Sequence, residues 1–151
     1  MSGKVEREAP GLEAIDELFG VDAFCCFLTE EDRPLPGALG FLDFRLCGAL
    51  SRVVKSGFFT GSPGEKLLVP TDGRVPAGKV FVVGLGQRRT MTPAGVEHAL
   101  ATAATMVARA GAESVALTLP TLSNSIDAVR GELVERGFAA NFAGRVVLFD
   151  P

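Results

Sequence analysis

Val80-Phe81-Val82-Val83-Gly84-Leu85-Gly86, then Thr92-Pro93, then the helical series Val96, Leu100, Ala103 and Val107 ending at Gly111, then Ser114-Val115-Ala116-Leu117-Thr118-Leu119: this run decides the fold. Four apolar β-formers in succession suit a strand buried on both faces. Gly84-Leu85-Gly86 is expected to turn the chain out of the sheet. Thr92 carries a capping side chain, and Pro93 suits the first helical position because its missing N–H would have no partner there. The apolar spacing after it marks one inner helix face, and Gly111 is a C-terminal stop. Ser114–Leu119 reads as a second strand. Strand, helix and strand make a βαβ unit, which requires parallel strands and a right-handed crossover.

Working outward, Val21–Leu28 (VDAFCCFL) is another near-continuous apolar run, bounded by Gly20 and by Thr29-Glu30-Glu31-Asp32. It predicts a third buried strand. Leu12, Ile15 and Leu18 before it have helical spacing. After it Pro34, Pro36 and Gly37 punctuate a loop. Leu42, Leu46, Leu50 and Val53, with Leu39, Ala49 and Val54 beside them, predict one long amphipathic helix closed by Gly57. Lys66–Val69 reads as a short strand stopped by Pro70. Asn124 or Ser125 is expected to cap a last helix carrying Ile126, Val129, Leu133 and Val134. Arg145–Phe149 is a final strand or a tail packed on the sheet. The expected class is a three-layer α/β/α fold with a mostly parallel mixed sheet. Residues 1–10 are expected to be a flexible leader and 11–151 a single domain.

Composition narrows the function classes. The 151 residues are 47% hydrophobic and 22% charged, ample for one core. The net charge of −3 gives no electrostatic footprint for nucleic acid; a patch of Arg88, Arg89 and Lys79 is the one local route to it. Met1–Pro10 lacks the apolar centre of a signal peptide, and no apolar run is long enough to span a membrane. The cytoplasm is therefore the expected compartment. Cys25, Cys26 and Cys47 lie in apolar runs without CxxC spacing and read as small buried hydrophobes. His98 falls on the outer face of its helix, with no nucleophile motif to serve. Asp43, Asp72, Asp127 and Asp150 are scattered, with no metal-like spacing. No catalytic residue, metal site or cofactor is expected.

Three stretches carry a resemblance. Asp22-Ala23-Phe24 with Leu35-Pro36-Gly37, then Gly48-Ala49-Leu50-Ser51-Arg52-Val53-Val54-Lys55-Ser56-Gly57 with Phe58 to Gly61, then Glu65–Pro70 with Val80–Gln87, resemble the N-terminal domain of the leucyl aminopeptidases, the M17 family, in order and gaps. The likeness implies a macro-domain-like fold, the fold that binds ADP-ribose. It does not reach the family's catalytic half, which holds two divalent metals and an Asn-Thr-Asp-Ala-Glu-Gly-Arg motif. Two departures stand out. Cys25-Cys26-Phe27-Leu28 and Gly48-Ala49-Leu50 occupy the places of the macro domain's Asn-rich segment and glycine run.

The resemblance implies a stand-alone, non-catalytic binding or assembly module, because the domain flanks the catalytic core and helps build the oligomer in the full-length enzymes. The alternatives are a macro-like nucleotide or ADP-ribose module and an accessory subunit of a metallo-aminopeptidase. Candidate ligand-binding residues are Asp22, by analogy with an adenine acceptor, and Gly84, Leu85 and Gly86, whose backbone could face a phosphate. The structural reading of Asp22 is a solvent-edge residue or a cap for a neighbouring turn. Candidate interface residues are Phe41, Phe44, Phe58 and Phe59, which widen the apolar arc of the first long helix beyond one stripe, a pattern that means either deep burial or a protein–protein contact. The partner is a protein, a second copy, or a catalytic aminopeptidase chain.

Overall fold

A computed structural model describes residues 5–9 and 11–149. Its centre is a six-stranded sheet in the order β1-β6-β5-β2-β4-β3. The strands are β1 (Val5–Glu8), β2 (Ala23–Thr29), β3 (Lys66–Pro70), β4 (Lys79–Gly86), β5 (Ser114–Thr118) and β6 (Arg145–Phe149). Every neighbouring pair is parallel except β3 with β4. The helices are α1 (Leu12–Asp16), α2 (Gly37–Arg45), α3 (Ala49–Lys55), α4 (Pro93–Arg109), α5 (Asn124–Asp127) and α6 (Arg130–Leu133).

Two apolar cores, one on each sheet face, make the three layers. α4 and the C-terminal helical segments cover one face through Val96, Leu100, Val107, Leu133 and Phe138. α1, α2 and α3 cover the other through Ile15, Leu39, Leu42 and Leu50. Because successive strand side chains alternate, Cys25 enters the first core and Cys26 the second.

The deciding run folds as its residues dictate. The Thr92 hydroxyl accepts from Gly95 N–H at 3.0 Å, with Pro93 in the first turn of α4. Gly111, at φ 91°, ends that helix. Its N–H donates to Ala108 C=O, and Ala112 N–H donates to Val107 C=O, the paired bonds of a Schellman stop.

Elsewhere the structure corrects the sequence reading. The part of the expected leader that is described is not loose: Val5–Glu8 pairs in parallel with β6. VERE carries little apolar signal because it is an edge strand, where charge discourages further pairing; Arg145 bonds Glu6 across the pair. Residues 1–4, Pro10, Asp150 and Pro151 lie outside the described residues. The long helix expected from Leu39 to Val54 is two helices. Cys47 (φ 56°) and Gly48 (φ 79°) break it. The buried Asp43 carboxylate then starts α3, accepting from Leu50 N–H at 2.8 Å, Ser51 N–H at 3.2 Å and the Ser51 hydroxyl. Cys47 is exposed, not buried: the kink turns it outward, and Arg74 donates to its sulfur. The last helix is likewise broken into α5, α6 and a π-helical turn, Val134–Phe138. No Asn124 or Ser125 side chain caps α5, whose N-cap position is Ser123.

Candidate functional site

The residues singled out for ligand binding are not brought together. Asp22 precedes β2, whereas Gly84-Leu85-Gly86 ends β4. Ala23 is level with Lys79 and Leu28 with Gly84, so the two candidates are roughly 20 Å apart along parallel strands. The Asp22 carboxylate accepts from Glu113 N–H at 2.7 Å, and its own N–H donates to Ser114. It braces the start of β5.

Gly84-Leu85-Gly86 does not leave the sheet either. It stays in β4, and Leu85 is the extra residue of a β-bulge between Leu28 and Thr29. The glycines are there because the 61–63 loop lies on them. A Cβ on Gly84 would sit 2.1 Å from Ser62 O, and one on Gly86 (φ 88°) 2.7 Å from Pro63 Cγ. The Gly84 N–H donates to Glu65 C=O and the Gly86 N–H to Gly61 C=O. These two donors are taken by the protein itself and are closed to a phosphate.

A crevice of ≈240 Å³ opens at the C-terminal ends of β2, β5 and β6, where an open α/β sheet ordinarily receives its ligand. Phe27, Thr118, Pro120, Phe149 and the start of α2 line it. Arg88 also reaches it but is committed. Its guanidinium pairs with buried Asp32 and donates to Thr121 C=O at 3.1 Å, and its N–H donates to Glu31 at 2.6 Å. Thus the densest acidic run and the densest basic run of the sequence meet at this end of the sheet. Sequence reasoning noted both and missed the pairing; two complementary runs following adjacent parallel strands were the available signal. Lys79 begins β4 at the opposite end, so the basic patch with Arg88 and Arg89 does not form.

A second concavity, a groove of ≈350 Å³, runs between α4 and the β3–β4 edge. Val83, Gly84, Leu85, Val96 and Ala103 are among its lining residues, and Lys66 and the exposed His98 stand at its rim.

The aromatic candidates divide. Phe59 is 1% exposed and belongs to the α1–α3 core. That corrects its reading as an interface residue: the turn after α3 folds it back under the sheet. Phe41, Phe44 and Phe58 are exposed, Phe44 at 66%. Phe41 and Phe44 border a shallow surface depression with Leu12 and Leu35. Burial pushes the Cys25 thiol well above its usual range, helped by Cys26, and pushes the Cys26 thiol up to about 12. Neither is a thiolate nucleophile at neutral pH. Among the described residues, no group of three or more His, Cys, Asp and Glu could hold a metal ion, and no helix is long and apolar enough to cross a membrane.

Sheet order and layers define a macrodomain-like α/β protein. The macrodomain of Thermus aquaticus DarG superposes with a TM-score of 0.66 at 12% identity, over 98% of this chain and 99% of that one. A tomato leucine aminopeptidase mutant superposes with a TM-score of 0.62 at 20% identity, over 97% of this chain and 33% of that one. The model of the cytosol aminopeptidase family, N-terminal domain, matches residues 21–139, and the chain belongs to that family. A probable cytosol aminopeptidase of Alkaliphilus metalliredigens is 30% identical over 118 residues, which are 78% of this chain and 24% of that protein. The chain thus spans about a quarter of that relative's length.

Proposed function

We propose that this domain is a non-catalytic binding and assembly module, acting in the cytoplasm, that associates with a second copy through the outer face of α2. One observation carries the reading. The inner face of α2 is spent on the core through Ala38, Leu39 and Leu42, yet Phe41 and Phe44 stand outward beside Leu12 and Leu35. Residues three apart share a helix surface, and large aromatics are the usual anchors of interfaces. Covering one such side chain is worth about 2 kcal/mol, a strong incentive for a partner.

The family relationship supports a module without its own peptidase chemistry, since the match is to the N-terminal domain. A macro-like nucleotide site has less support. The crevice at the strand ends is ≈240 Å³, below the range of about 300–1,000 Å³ usual for ligand pockets, and its arginine is already paired. A catalytic aminopeptidase chain is the alternative occupant of the α2 face.

Phe44→Asp tests the reading. The expected result is an unchanged circular dichroism spectrum with a lower mass by light scattering, about half for a dimer. A wild-type chain that is monomeric throughout the accessible concentration range removes the self-association reading.

A further inference from the structure

We propose that the groove between α4 and β3 binds an amphipathic monocarboxylate, a small acid with a compact apolar tail. This surface is separate from the α2 face, on the other side of the sheet, and the proposal does not depend on the assembly reading.

The groove follows from the chain. β3 is an edge strand, and its α4-side face is open at Leu68, which is 54% exposed. The flank of α4 that looks toward it carries Gly95, Ala99 and Thr102, at i, i+4 and i+7. Small side chains at this spacing make the helix surface recede. Met91 and Pro63 also border the space. The resulting volume of ≈350 Å³ falls inside the range that holds small ligands, and buried Val83, Val96 and Ala103 give it an apolar floor.

The chemistry of the rim selects the headgroup. Lys66 and His98 contribute a cation and an imidazole, and Thr92 and Thr102 contribute hydroxyls; the Thr90 O–H is spent on the Gln87 carbonyl at 3.1 Å. Among the described residues, none that lines the groove is acidic, although the whole chain is net −3. A carboxylate is the group that accepts from all of these donors. The Thr92 oxygen already accepts from Gly95 N–H, which leaves its O–H to donate outward. An amine would meet Lys66 with like charge and find no carboxylate partner. The floor then takes the apolar tail, each buried methylene adding to the affinity. Gly84 and Leu85 act here as floor residues.

The test is a heteronuclear NMR titration of the full chain with sodium octanoate, and in parallel with octylammonium chloride. The expected result is saturable shifts at Val83, Leu85, Met91, Ala99 and Thr102, with a dissociation constant of about 1 mM or tighter, and much weaker shifts with octylammonium. Lys66→Glu, at an exposed position that tolerates charge, should weaken octanoate about fivefold while the remaining spectrum stays in place. Ala99→Phe, filling the groove, should abolish the shifts. Equal response to the two headgroups, shifts spread outside the groove, or no shift up to about 10 mM would each overturn the proposal. So would an unaltered octanoate affinity in Lys66→Glu.

Discussion

The βαβ unit from Lys79 to Thr118 and the segment from Gly37 to Glu65 are built by different means. In the first, each local signal agrees with the fold: buried strand, threonine cap, proline at the first turn, glycine stop. Its bonds at the helix ends are local, none reaching more than five residues. In the second, two carboxylates organise the backbone. Asp43 reaches forward seven and eight residues to start α3. The Glu65 carboxylate accepts from the N–H groups of Thr60, Gly61 and Ser62 and from the Thr60 hydroxyl. A local code survives reading in one dimension; a carboxylate that closes a loop does not. The largest test of this comparison lies where the two regions touch. Gly84→Ala would drive a methyl group into Ser62 O and Gly61. Neither strand nor loop can yield cheaply, because Gly84 N–H and C=O both bond across that contact. The expected cost is roughly 3 kcal/mol, measured by urea unfolding. A loss under about 1 kcal/mol would mean the regions are loosely joined.

The second test sets the two kinds of helix start against each other. Asp43→Ala removes an acceptor of three hydrogen bonds that is 7% exposed. Thr92→Ala removes an exposed cap with one bond. The buried carboxylate should cost about 2–3 kcal/mol and the threonine about 1 kcal/mol. Equal costs would break the distinction. A loss of helical signal equivalent to α3 in Asp43→Ala, with α4 intact by hydrogen exchange, would sharpen it.

These contrasts explain what the sequence allowed to be read. The three-layer class, β2, β4, β5 and both ends of α4 were legible, because apolar runs and caps are local. The break at Cys47-Gly48 was hidden: Leu42, Leu46, Leu50 and Val53 keep helical spacing across it, while the decisive residue, Asp43, looked like one scattered acid among several. Gly84 and Gly86 were read as a turn because glycine signals backbone freedom. At Gly84 the reason is instead steric, the close approach of a loop more than twenty residues earlier; Gly86 meets the same loop and also holds a φ of 88°. Phe59 and Phe58 are adjacent and chemically identical, yet one is core and the other exposed. No pattern in a two-residue window separates them. The candidate ligand residues lie apart for a related reason: Asp22 and Gly86 each bound a strand, and only the parallel register shows that they bound opposite ends.

The smallest expected effect belongs to Glu65, and it is one of pH. Partial desolvation is the largest single influence on its carboxyl and pushes its pKa up. The donors of Thr60, Gly61 and Ser62 together outweigh that, and the net pKa lies below its ordinary value. A carboxyl held lower in the folded state contributes stability that is fully present above its unfolded pKa, near about 4.3. That contribution is lost as the pH falls through the folded value. The group sits near the surface, so solvent screens it, and its share at neutral pH should stay under about 1 kcal/mol. Glu65→Gln keeps an acceptor oxygen in the same place but cannot titrate. Its stability at pH 7 should therefore fall only slightly, while its unfolding free energy should decline less than wild type as the pH falls below about 4.3. The difference between the two curves isolates Glu65 from the other carboxylates, which titrate in both proteins. Parallel curves would mean that the loop is held by its backbone, as in the βαβ unit, and the contrast between the two regions would then rest on Asp43 alone.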